Sequence, residues 1–134
     1  MTDSDAIHNG GCLCGEVRYR VRGGLRGVIA CHCSQCRRTS GHHAAMTAAA
    51  SANLELTASD RLVWYKSSDT AERGFCGACG ANLFWRQVGR DAISITAGSL
   101  DAPTNLSIIE HIFVADKGDY YAIDDDAPQR QHWR

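Results

Sequence analysis

The chain has 134 residues, with 14 Lys and Arg against 15 Asp and Glu for a formal net charge of −1; this length fits one domain, 1–134, on a prior of roughly 100 to 200 residues per domain. Of its apolar residues 18 are Ala and 7 are Cys, so Leu, Ile, Val and Phe together supply only 25 side chains, a thin core that calls for extra cross-links. The balanced charge excludes the highly charged disordered class, the lack of a basic run argues against a nucleic-acid partner, and no apolar stretch has membrane-spanning length.

The N-terminal MTDSDAIHNGG is acidic where a signal peptide needs positive charge and then an apolar segment. Reduced thiols and a cytoplasmic location are therefore expected. Residues 15–21 alternate, with Val17, Tyr19 and Val21 on one face and Glu16, Arg18 and Arg20 on the other, the pattern of a half-buried strand. Residues 25–30 read as the next strand. Ser34 as N-cap and Gly41 as stop bound a short helix carrying Cys36, Arg37 and Arg38, whose positive N-terminal end favours nearby thiolates. The stretch AAMTAAASA from Ala44 has helical propensity but sits among strand signals. Residues 62–66, 82–87 and 91–97 read as strands, the last two as a hairpin around the VGRD turn. Residues 107–115 and 120–123 read as strands of a covered sheet, and the polar tail 124–134 as loose.

The seven cysteines fall in three clusters, Cys12-x-Cys14, Cys31-x-Cys33-x-x-Cys36 and Cys76-x-x-Cys79. An odd count with one-residue spacings suits metal ligation better than a disulfide framework. Zinc takes four tetrahedral thiolates, and Gly11, Gly15, Gly77 and Gly80 can supply the tight turns that aim paired sulfurs at one ion. Seven divides as four plus three. Cys12, Cys14, Cys76 and Cys79 would make a closed structural site tying distant parts of the chain together. Cys31, Cys33 and Cys36 would leave a coordination position open, the mark of a catalytic ion. Two alternatives stay open here: Cys33 and Cys36 pairing with Cys76 and Cys79, and a histidine (His32, His42 or His43) closing the three-sulfur site.

The segments GGCLCGEVRY, CHCSQCRRTSG and RGFCGACGANLFW, with ITAGSLD and EHIFVADK downstream, resemble the glutathione-dependent formaldehyde-activating enzyme family, which includes the centromere protein V domain. The resemblance covers about residues 10–123. It implies a mainly β fold of several small curled antiparallel sheets stapled by zinc, similar to translationally controlled tumour protein and the methionine-R-sulfoxide reductases, with at most one or two short helices. It also favours a strand at Ala44. It implies two zinc ions per chain: a structural one on Cys12, Cys14, Cys76 and Cys79, and a catalytic one, open to partial occupancy, on Cys31, Cys33 and Cys36. The implied activity is that of a carbon–sulfur lyase, joining glutathione or another small thiol to formaldehyde or a related aldehyde, or cleaving the adduct. Arg37, Arg38 and Gln35 are the candidate substrate-binding residues, since guanidinium groups pair bidentately with carboxylates. Arg73 and His111 also occupy positions typical of the family.

This chain shows no extra segment to build a deep tripeptide pocket, so a small-thiol adduct is the safer substrate class. The competing class is a non-catalytic zinc module that binds a small thiol or a protein partner. Thiol redox catalysis would need a cysteine outside the metal sites, and an iron–sulfur centre would colour the purified protein. The aromatic pairs Trp64-Tyr65 and Phe84-Trp85 are expected in the core.

Overall fold

The structure is a computed structural model that describes residues 5–133. In chain order its strands are β1 Ile7–Gly11, β2 Arg18–Arg22, β3 Val28–Cys31, β4 Ala44–Ala50, β5 Leu54–Ala58, β6 Leu62–Lys66, β7 Ala71–Cys76, β8 Asn82–Gln87, β9 Ala92–Thr96 and β10 Ile108–Ile112, with one helix, α1 Ser34–Ser40, and three short 3-10 turns. The protein is mainly β. The chain divides into two compact units, residues 1–26 with 47–105, and residues 27–46 with 106–134; strand β4 belongs to both.

In the first unit, β1, β2 and β5 form an antiparallel sheet in the order β1-β2-β5. The alternation running into β2 does what its pattern dictates: Val17, just before the strand, and Tyr19 and Val21 within it are all fully buried. Strand β1 carries little strand propensity in IHNGG and is organised by its partner, because a Cβ at Gly10 would overlap the Tyr19 ring. A second ladder runs β9-β8-β7-β6 with antiparallel neighbours, and β8 and β9 form the expected hairpin. Its buried face brings Leu83, Phe84, Ile93 and Ile95 into the core. Phe84 meets Tyr19 edge-on at 5.3 Å and stacks on Trp64 at 5.9 Å, while the Arg86 guanidinium lies 3.6 Å over Trp64. Phe84 is thus core as expected, but Tyr65 is 61 % exposed, since it points to the opposite face of β6 from Trp64.

In the second unit, β3 is the centre. It pairs antiparallel with β4 (Cys31 opposite Ala44) and parallel with β10 (Cys31 opposite Ile112), so this sheet is not wholly antiparallel. The Ala-rich segment is strand β4, not helix, because pairing with β3 overrides its propensity. Helix α1 is capped by Cys33, whose sulfur accepts the Cys36 N–H, and not by Ser34; it ends at Gly41 with a left-handed φ of 79°. Residues 120–123 form no strand. The tail, expected to be loose, runs along β10: His111 N–H donates to Pro128 O at 2.8 Å, Arg130 N–H to His111 O at 2.9 Å, and Phe113 N–H to His132 O at 3.0 Å. The buried Glu110 carboxylate takes the Arg130 Nε–H at 2.7 Å. A buried carboxylate needs such a partner, and the tail supplies it.

The Tyr19 hydroxyl donates to Ser99 Oγ at 2.7 Å, which donates to Thr96 O at 2.8 Å. Burial pushes the phenol up to about 12, against a smaller opposing effect of Ser99. The folded state therefore holds this proton more tightly than the unfolded chain, whose tyrosine titrates near ~10. The contribution is complete below that value and is lost as pH rises toward the folded one. Tyr19→Phe should cost about 1 kcal/mol at neutral pH and flatten the alkaline limb of stability measured by urea titration; equal slopes for the two proteins would contradict the assignment.

Candidate metal and active site

The seven sulfurs gather as two groups, one in each unit. In the first, Cys12 follows β1, Cys14 sits in the next turn, Cys76 ends β7, and Cys79 closes the turn before β8. Cys12 Sγ and Cys14 Sγ lie 3.6 Å apart, Cys14 Sγ and Cys76 Sγ 3.8 Å apart, and all four lie within 4.8 Å of one another. Tetrahedral ligation with bonds of about 2.3 Å sets sulfur–sulfur separations near ~3.8 Å, so this donor set fits a zinc ion. Backbone N–H groups face the sulfurs: Val17 N to Cys12 Sγ at 3.2 Å, Ala78 N and Cys79 N to Cys76 Sγ at 3.4 and 3.5 Å. Gly15 and Gly80 have φ of 83° and 80°, as the tight turns require. The Ala81 and Cys14 N–H groups hold the Cys79 thiol down to about 6, which favours the thiolate a metal needs.

In the second group, β3 ends on Cys31, Cys33 caps α1, and Cys36 lies in its first turn. A strand end and a helix start three residues apart bring all three sulfurs within 4.8 Å of one another. Hydrogen bonds from Cys31 and then Cys36 hold the Cys33 thiol well below its ordinary value, with the Cys36 and Gln35 N–H groups adding to the effect. Cys31 is pushed up in turn by sharing a proton with Cys33 and Cys36. Three soft sulfur donors this close together also fit a zinc ion.

The alternative pairing of Cys33 and Cys36 with Cys76 and Cys79 is not formed. No histidine nitrogen or carboxylate oxygen among the described residues joins the three-sulfur group. His32, between two of its cysteines, is fully buried and spends both ring nitrogens elsewhere, on Tyr121 and on His111 at 2.9 Å. Burial, then the neighbouring His43 and His111, lowers its pKa to about 4. His42 Nδ1 pairs with the Tyr120 hydroxyl at 2.8 Å.

Of the candidate substrate residues, Gln35 and Arg38 are exposed on α1. Arg37 is half-buried, and its Nε is buried without a hydrogen-bond partner among the described residues; the same is true of His43 Nδ1. His43 was not singled out as a substrate contact in the sequence. Arg73 lies mid-strand in β7 opposite Tyr65 and Trp85. His111 is buried in β10 and donates through Nε2 to Asp125 at 2.9 Å. Tyr121 and Asp125 carry no motif, and their proximity to His32 and His111 is a product of the tail's path. Two shallow depressions flank the four-sulfur group: one of about 500 Å³ includes Cys12, Arg18 and Asp101 in its lining, the other Cys14 and Asp60.

A mainly β protein with one group of four cysteine sulfurs and one of three carries two donor sets that could hold metal ions. Residues 7–116 match the family model of the glutathione-dependent formaldehyde-activating enzyme, and the chain belongs to that family. A Schizosaccharomyces pombe protein described as an uncharacterised lyase is 25 % identical over 115 residues, spanning 85 % of this chain and 83 % of that one. A crystal structure of a Rhodobacter sphaeroides protein aligns with a TM-score of 0.58 at 27 % sequence identity, covering 70 % of this chain and 88 % of that chain. No helix of the described residues is long and apolar enough to cross a membrane.

Structural zinc in small domains contributes about 10–16 kcal/mol to folding, against a typical total stability of about 5–15 kcal/mol. Cys76→Ser should therefore unfold the first unit, read as loss of amide dispersion in its NMR spectrum. A native spectrum and unchanged Tm would show that the four sulfurs do not staple the fold.

Proposed function

We propose that the protein is a zinc-dependent enzyme of thiol–aldehyde adduct chemistry, forming or cleaving a carbon–sulfur bond between glutathione, or a similar small thiol, and an aldehyde such as formaldehyde. The observation that carries this reading is the three-sulfur group of Cys31, Cys33 and Cys36, which no fourth side chain among the described residues completes. The four-sulfur group is the structural counterpart, giving two ions per chain. When bound at the three-sulfur group, zinc supplies acidification of an incoming thiol.

The chain's own residues present the reacting sulfur and bind the rest of the thiol. Thiolate is the nucleophile: attack on the aldehyde carbon forms the carbon–sulfur bond, the carbonyl π pair moves to oxygen, and the thiol proton finishes on that oxygen. Cleavage is the reverse. Arg37, one residue beyond Cys36 and with a buried Nε that has no hydrogen-bond partner among the described residues, is suited to a substrate carboxylate, and Arg38 and Gln35 stand on the same short helix. Family membership and the lyase description of the yeast relative support the reaction class, and clustered reduced thiols suit a cytoplasmic location.

The competing reading is a zinc module that holds a thiol or partner without turnover. The two separate on rate. With glutathione and formaldehyde, followed by NMR, the wild type should speed adduct formation or breakdown beyond the uncatalysed reaction. Cys36→Ser should keep its fold and one zinc but lose at least about 100-fold of that acceleration, a loss on the scale of removing one key polar contact. Undiminished turnover in Cys36→Ser sinks the enzyme assignment, and thiol binding without any wild-type acceleration selects the module. Arg37→Ala should raise KM for glutathione by roughly tenfold with kcat little changed, as for a contact made equally in ground and transition states; an unchanged KM removes Arg37 from the substrate site.

A further inference from the structure

Four polar side chains of the second unit form one continuous hydrogen-bonded chain. The Asp125 carboxylate accepts only, so it takes the proton on His111 Nε2, at 2.9 and 3.0 Å to its two oxygens. With His111 neutral its Nδ1 is then an acceptor, and across the 2.9 Å contact His32 Nε2–H donates to it. His32 Nδ1 is left as the acceptor for the Tyr121 hydroxyl. The carboxylate thus fixes the tautomers of two rings in series, a role such groups play behind imidazoles. Both rings are buried, at 1 % and 3 % exposure, so neither can substitute water for a lost partner without cost.

His32 occupies the single position between Cys31 and Cys33. Its N–H donates to Ile112 O at 3.0 Å, and with both ring nitrogens held, its side-chain torsions are fixed as well. Any backbone rotation at His32 would swing one sulfur relative to the other. Locking the ring therefore locks the separation of two of the three donors.

We propose that Asp125, acting through His111 and His32, is a positioning residue for the Cys31, Cys33 and Cys36 group, so that the tail along β10 is part of that site. This rests on the metal-binding reading of the three sulfurs and not on turnover. Filling the site and seating the tail are then linked in both directions.

The test is competition of the purified protein with a chromophoric chelator for Zn²⁺. Wild type should show two classes of site. Asp125→Ala should weaken only the weaker class, by about tenfold, the lower end of what loss of a supporting hydrogen bond behind a metal site costs. Asp125→Asn keeps an acceptor oxygen and should recover most of that loss, whereas the neighbouring Asp126→Ala should match wild type. If Asp125→Ala fails to fold, hydrogen exchange of the unaltered protein decides: occupying the weaker class should slow the His111 and Arg130 amides, which bond between β10 and the tail. Wild-type affinity in a folded Asp125→Ala, or amide exchange indifferent to Zn²⁺ at that class, overturns the proposal. Normal Zn²⁺ binding with no adduct chemistry would instead overturn the proposed function and leave this inference standing.

Discussion

Convergence of sulfurs is the constraint on which this molecule depends. Thiolates crowded to less than ~4 Å, the spacing of tetrahedral ligands, repel one another, and neutral thiols are poor partners, so each group is at rest only with a cation among its members or with protons shared between them. The first unit meets this with four sulfurs from two separate turns, lined by backbone N–H groups. Around that point its apolar packing of Tyr19, Leu83, Phe84 and Ile95 is small but fully buried, as in a fold that leans on a cross-link.

The second unit solves a different problem. Its interior holds His32, His111 and Glu110, groups that cost free energy to bury unless fully bonded. The tail answers this demand twice, through Arg130 to Glu110 and through Asp125 to His111. A parallel β10 beside β3 puts Ile112 next to Cys31 and so carries these polar contacts to the edge of the three-sulfur group. The unit with the three-sulfur group is thus the one ordered by polar contacts, which fix direction as well as distance, while the four-sulfur group sits with the apolar core.

This division gives chemical sense to the family membership. Under the proposed function, the four-thiolate site would hold structure, and the set of three would accept a fourth sulfur from outside. The substrate side is less developed. The buried Nε of Arg37 and Nδ1 of His43 find no partner among the described residues, and a carboxylate-bearing thiol has the right chemistry for the guanidinium.

Short-range patterns carried much of the fold. Alternation placed Val17, Tyr19 and Val21 inside, the VGRD turn marked the hairpin of 82–87 and 91–97, and cysteine spacing divided the sulfurs into the two groups that the fold brings together. Each of these signals is written within a few residues. What escaped was set by pairing at a distance: β1, β5 and β7 have weak or interrupted patterns and exist because neighbouring strands need their backbone groups, and the Ala-rich β4 extends because β3 lies beside it. Cys33 displaced Ser34 as the helix cap since its sulfur reaches the Cys36 N–H. The spacing of residues therefore determined where the candidate ligands fall and which donors are grouped. Only the tertiary structure decided that both nitrogens of His32 are occupied, and that a polar tail with no motif supplies Asp125 and Arg130, because hydrogen-bond partners 14 to 89 residues apart meet by chain path and leave no local trace.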